Sequence, residues 1–113
     1  MINRARNWKE FSAALESFTA PTQNIVYADT AGHIGYHAAG IVPIRKSGDG
    51  ESPYDGSTDA GDWVKYIPIK DLPTLYDPPS GIIVTANQRI VGTDYSYFLT
   101  HSWAQPYRAR RIF

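Results

Sequence analysis

Only one stretch of this chain carries helical periodicity, and that governs what the chain can fold into. In NWKEFSAALESF, residues 7–18, the residues Trp8, Phe11, Ala14, Leu15 and Phe18 recur at helical spacing and share a face. Lys9, Ser12 and Glu16 fall elsewhere. Asn7 is placed to cap the first turn, and Glu10 three residues later completes a capping box. Pro21 disfavours helix at Ala20 and so closes the element, which predicts a helix over residues 7–19. The remainder of the chain is written in strands, turns and prolines. The expectation is an α+β chain with a mostly antiparallel sheet packed on that helix.

The segment QNIVYADTAGHIGYHAAG, residues 23–40, predicts a hairpin. Ile25, Val26 and Tyr27 form the outgoing strand, Asp29 to Gly32 the turn, and Ile34 and Tyr36 begin the return. After IVPIR the character changes. Residues 46–62, KSGDGESPYDGSTDAGD, hold almost nothing apolar and predict a long surface loop, long enough to lie over a partner surface. WVKYIPI resumes ordered structure, and KDLPTLYDPPSG is a proline-punctuated connector. GIIVTANQRI predicts a second strand region over residues 82–91, inside the same sheet. The tail from Thr93 carries Tyr95, Tyr97, Phe98, Trp103, Tyr107 and Phe113, an amount of aromatic surface that needs a partner.

At 113 residues the chain is one domain at most, or part of one, able to bury roughly two-thirds of its unfolded surface. Eleven basic residues balance eleven acidic ones, so no overall field steers it to nucleic acid or membrane. The absence of cysteine excludes disulfides, thiolate zinc sites and cysteine nucleophiles. No apolar run approaches the roughly 20 residues needed to span a bilayer.

Several residue groups invite a chemical reading. His33 and His37 stand four apart, but Gly32 and Gly35 argue for a strand there, over which four residues span about 13 Å, too far for one ion. His101, Ser102 and Asp94 contain the residue types of a nucleophilic triad without a G-x-S-x-G elbow. SGDGESPYDG lacks the lysine-serine ending and following helix of a phosphate loop. The acidic loop lacks the spacing of a calcium loop. RARRIF is basic, with no basic face elsewhere to extend it into a nucleic-acid footprint.

Asn87 ends the apolar strand. An asparagine offers two N–H donors and never carries charge, which suits stabilisation of a transient oxyanion. The pattern by itself favours a turn asparagine at a strand end.

Taken in order, NWKEFSAAL, APTQNIVYADTAGHIGYHAAGIVPIR, YIPIKDLPTLYDPPSGIIVTANQRIVG and WAQPYRARRI resemble the β-chain of the penicillin acylase family, the N-terminal nucleophile amidohydrolases. The resemblance covers nearly the whole chain except the acidic loop. It implies a partial domain, residues 1–113, of a four-layer α/β/β/α fold in which two sheets lie between helical layers. It implies a parent hydrolase that cleaves the amide linking an acyl group to an amine, as in β-lactams or acyl-homoserine lactones. In such enzymes a serine at the β-chain N-terminus attacks the carbonyl while its own α-amino group, with an ordinary pKa of about 7.7–8.0, takes the proton. The TAN-R motif places an oxyanion donor on Asn87. The PYRA-RI motif places a neighbouring arginine on Arg108, with Arg110 as rival because RARR permits a slip of two. Where the commonest form of the motif has a second asparagine, this chain has Gln88, a position given no part in the chemistry.

No residue here matches the serine nucleophile, so the isolated chain is expected to be inactive and to need the remainder of a parent acylase as partner, with a small amide as substrate. Self-association of the isolated chain, no nucleic-acid or membrane partner, no cofactor, and periplasmic or extracellular residence are the accompanying expectations. Structural calcium is possible in the parent, but its ligands do not map cleanly here. Asn24 and Tyr27 are expected to support the hairpin. The alternative is a binding module without catalysis, in which Trp63, Tyr66 and Trp103 grip a sugar or peptide, or a purely structural interaction domain.

Overall fold

The first helix, α1, runs over Trp8–Leu15 in a computed structural model that describes residues 2–113. Asn7 Oδ1 accepts from the Glu10 N–H at 2.9 Å, and Glu10 Oε2 accepts in return from the Arg6 N–H at 2.9 Å. The box is thus closed one residue further back than the motif predicts, on Arg6 rather than Asn7. The helix ends earlier than residue 19 because Glu16, Ser17 and Phe18 switch to bonds three residues back, a tighter turn that releases the chain ahead of Pro21.

Strands β1, Gln23–Ala28, and β2, Ile34–Ala39, pair antiparallel from Gln23↔Ala39 to Ala28↔Ile34. Asp29 shapes the turn: its Oδ1 accepts from the Ala31 and His33 N–H groups and its Oδ2 from the Tyr27 hydroxyl at 2.7 Å. Strands β3, Pro43–Arg45, and β4, Trp63–Tyr66, form a separate antiparallel pair. Residues 46–62 close that pair without helix or strand and are almost wholly exposed. They are tied across their base by Lys46 N–H to Asp62 C=O, the Lys46–Asp59 ion pair and Ser47 Oγ to Ala60 C=O.

The third strand of the main sheet departs from expectation. It is β5, Thr74–Tyr76, inside the segment read as a connector, and it pairs antiparallel with β2 to give the order β1-β2-β5. Pro73 and Pro78 frame it as an edge strand, the place where proline is tolerated in a sheet. Residues 82–91, expected in this sheet, form no ladder at all. Their backbone groups are taken by side chains instead, and Asn87 leaves the extended region with φ 63°.

The core sits between α1 and the sheet. Phe11, Leu15, Tyr27 and Ala39 are buried together, with Trp8, Phe18 and Ile25 packed around them. Leu15 is fully buried, a contribution of about 1.5–3 kcal/mol. Trp8 lies flat on the sheet, 5.3 Å from Tyr76 and 5.5 Å from Tyr27 between ring centroids. Gly35 makes that seat possible, since a Cβ there would stand 2.4 Å from Trp8 Cζ3. A second helix, α2, Tyr107–Ile112, follows Pro106 and was not expected. Its signal was a proline ahead of helix-forming residues with basic side chains in the last turn.

Candidate functional site

Asn87 is held by the bonds on either side of it. Gln88 folds back along its own chain, its Nε2 donating to the Val84 C=O at 2.8 Å and its Oε1 accepting from the Ala86 N–H at 2.6 Å. The Asn87 C=O accepts from the Ala104 N–H at 2.8 Å, which ties the segment to the aromatic tail. Asn87 itself is in the left-handed region, a conformation that asparagine tolerates better than other residues with a Cβ. Its side chain is exposed.

The tail brings an arginine to this asparagine. From α2, Arg108 Nη2 donates to the Ala86 C=O at 2.7 Å and to Asn87 Oδ1 at 3.1 Å. A guanidinium has donors only, so it engages Oδ1 and leaves the Nδ2 side of the amide facing elsewhere. No described residue accepts from Asn87 Nδ2. Two N–H donors are therefore presented on a side chain whose orientation is fixed, beside a permanent positive charge.

Arg110 does not share this contact. Two positions on a helix are about 200° apart, so residues 108 and 110 point to opposite sides. The Arg110 N–H bonds to the Pro106 C=O, and its guanidinium makes no hydrogen bond among the described residues.

The other candidates do not assemble. His33 Nδ1 pairs with Asp77 Oδ2 at 2.6 Å, while His37 is buried and donates through Nδ1 to the Ala38 C=O at 2.7 Å. His101 and Ser102 face the acidic loop rather than Asp94: His101 Nε2 lies 3.4 Å from Asp49 Oδ2, and Ser102 Oγ donates to Glu51 Oε1 at 3.0 Å. Among the described residues no group of three His, Asp or Glu side chains is arranged to hold a metal ion. Asn24 Oδ1 accepts from the Tyr36 hydroxyl at 2.6 Å, and Tyr27 is in the core. Trp63 and Tyr66 are neighbours on β4, whereas Trp103 lines a different groove with Tyr95, Tyr97 and Phe98.

A groove of about 670 Å³ runs between β5 and residues 82–92, lined by Tyr36, Leu75, Ile82, Val84 and Gln88 among others. Neither Asn87 nor Arg108 lines it. It is mostly apolar space beside the free edge of β5.

A family model described as penicillin amidase matches residues 1–113. The chain is 38% identical over 111 residues to the acyl-homoserine lactone acylase QuiP of Pseudomonas fluorescens, covering 98% of this chain and 14% of that protein. It is 40% identical over 89 residues to the penicillin acylase 2 proenzyme of a Pseudomonas species, covering 79% of this chain and 12% of the proenzyme. The solved structure of a thermostable penicillin G acylase from Alcaligenes faecalis superposes with a TM-score of 0.74 at 29% identity, over 94% of this chain and 18% of that one. The chain thus spans about one-seventh of the length of the first of these relatives.

Proposed function

The chain belongs to the penicillin amidase family, an amidohydrolase family, and from that premise we propose that it supplies the side-chain oxyanion donor of an acylase cleaving the amide between an acyl group and an amine. When a nucleophile adds to the amide carbonyl, negative charge collects on its oxygen. Asn87 Nδ2–H donates to that oxygen, and Arg108 keeps the amide turned so that a donor rather than an acceptor faces it. The guanidinium charge favours the same state electrostatically. The donors are in place before the charge forms, so no reorganisation is needed at the moment of reaction. In this reading the nucleophilic serine and the acyl pocket belong to other parts of the acylase. The names of the relatives support substrates of the β-lactam or acyl-homoserine-lactone type.

The observation that carries this reading is the Arg108–Asn87 contact, which fixes the carboxamide by its oxygen and leaves its N–H groups without a partner among the described residues. Its test is substitution of Asn87 in the assembled acylase carrying these residues. Asn87→Ala lowers kcat by about 10²- to 10³-fold with KM little changed. Alanine is also strained at positive φ, so Asn87→Gly, which is not, separates the lost donor from the lost conformation. Both variants lose turnover if the donor matters; unchanged kcat in Asn87→Gly would remove the assignment.

A further inference from the structure

The bonds around Asn87 give a task to a side chain that the proposed chemistry leaves unused. Gln88 closes on two backbone groups at once, accepting from the Ala86 N–H at 2.6 Å and donating to the Val84 C=O at 2.8 Å. An N–H only donates and a C=O only accepts, so the Gln88 amide has a single orientation that serves both. Both groups lie on the same side of the extended backbone, two residues apart. The Ala86 residue is thereby gripped from two sides, its N–H by Gln88 and its C=O by Arg108 at 2.7 Å. Asn87 comes next at φ 63°, a conformation open to asparagine that the two grips on Ala86 help to hold.

We infer that Gln88 is a positioning residue: its carboxamide closes on the Val84–Ala86 backbone and holds it so that Asn87 keeps its left-handed conformation and its donors keep their aim. This rests on the reading of Asn87 as the oxyanion donor. The side chain is specified closely. Leucine keeps an apolar side chain there and has no polar atoms to meet either group. Glutamate retains an acceptor for Ala86 but sets an oxygen against the Val84 C=O.

The test uses the assembled acylase carrying these residues, with a chromogenic acyl p-nitroanilide as probe, and four variants: Gln88→Leu, Gln88→Glu, Asn87→Gly, and Asn87→Gly combined with Gln88→Leu. Misplacement of a catalytic group by a fraction of an ångström to an ångström costs up to about 100-fold, so Gln88→Leu lowers kcat by about 10- to 100-fold with KM little moved. Because Gln88 acts through Asn87, the double variant falls no further than Asn87→Gly alone. Should Gln88→Leu not fold, Gln88→Glu carries the test, with a smaller loss of kcat that also disappears in the Asn87→Gly background. Losses that add in the double variant, or unchanged kcat in Gln88→Leu and Gln88→Glu, overturn the positioning role while leaving Asn87 as donor. Unchanged kcat in Asn87→Gly instead removes the donor assignment itself.

Discussion

An asparagine amide can face a substrate with its oxygen or with its nitrogen, and only the second helps an oxyanion. Arg108 makes that choice. Its Nη2 reaches both the Ala86 C=O and Asn87 Oδ1, so loss of the guanidinium frees the amide to rotate and withdraws one anchor from the backbone beneath it. Hydrogen bonds to a charged group contribute about 1.5–3 kcal/mol, so Arg108→Leu is expected to lower kcat by about 10- to 100-fold. Arg108→Lys restores part of this, because an ammonium supplies the charge without the planar fork. Arg110→Leu leaves kcat unchanged, and steady-state kinetics on the three variants in the assembled acylase checks all of these; a loss on Arg110→Leu equal to that on Arg108→Leu would reverse the assignment. At this scale the sequence shows the parts without their arrangement. The motif TAN-R marks Asn87, but RARR leaves two registers open. Only the turn of α2 decides which guanidinium meets the amide. Gln88 gives no signal at all, because a side chain closing on its own backbone has no sequence pattern of its own.

Between elements, the turn of the β1–β2 hairpin is clasped to the end of β5. Asp77, just past β5, accepts from the Ile34 N–H at 2.9 Å and pairs with His33 Nδ1 at 2.6 Å. Tyr76 stacks on the His33 ring, and Asp29 adds a second negative charge nearby. The hydrogen bond to Asp77 raises the His33 pKa above its ordinary 6.5. The Ile34 N–H, with help from His33, lowers the Asp77 pKa below its ordinary 3.8. A raised histidine stabilises fully below its unfolded value and loses that contribution as pH climbs through its folded value. A lowered aspartate stabilises above its unfolded value and loses that contribution as pH falls through its folded one. The clasp therefore works best between about pH 4 and pH 6.5. Circular-dichroism melts from pH 6 to pH 8.5 should show Tm falling more in the wild type than in Asp77→Asn, which keeps an acceptor for Ile34 and tolerates the positive φ of residue 77. Parallel curves would mean the pair adds nothing. The helix and this hairpin were legible in sequence because each is determined by its own residues: a cap with a 3.6-residue stripe, and a turn between two apolar runs. The third strand was not. Strand character in GIIVTANQRI measures fitness for a sheet, while membership depends on what lies alongside, and LPTLYDP took the place beside β2 instead.

The whole molecule is larger in outline than its length calls for. Its radius of gyration is 16.1 Å, against about 13 Å for a compact domain of this many residues. Its accessible surface is 8139 Å², against roughly 6,200 Å² for a folded monomer of this mass. The excess is not a polar fringe. Trp63 is 59% exposed on β4, Tyr107 70% and Phe113 73% on the tail, and Leu75 and Ile82 flank the open groove beside β5. One edge of that groove is a strand with unpaired backbone groups, the surface most prone to pair with another chain. The small core under α1 has little to set against so much uncovered apolar area. The 113-residue chain on its own should therefore self-associate, its weight-average mass by light scattering rising with protein concentration and with sulfate, which strengthens apolar association. It should also leave acyl amides uncleaved, since the proposed oxyanion donor would stabilise a charge that some nucleophile has first to create. Charge substitutions on the exposed β4 face, Trp63→Lys with Tyr66→Glu, should lower the association without restoring any turnover. A chain that stays monomeric at millimolar concentration would mean that the apolar surface around β4 and β5 is covered from within, and that these residues close on themselves as a domain.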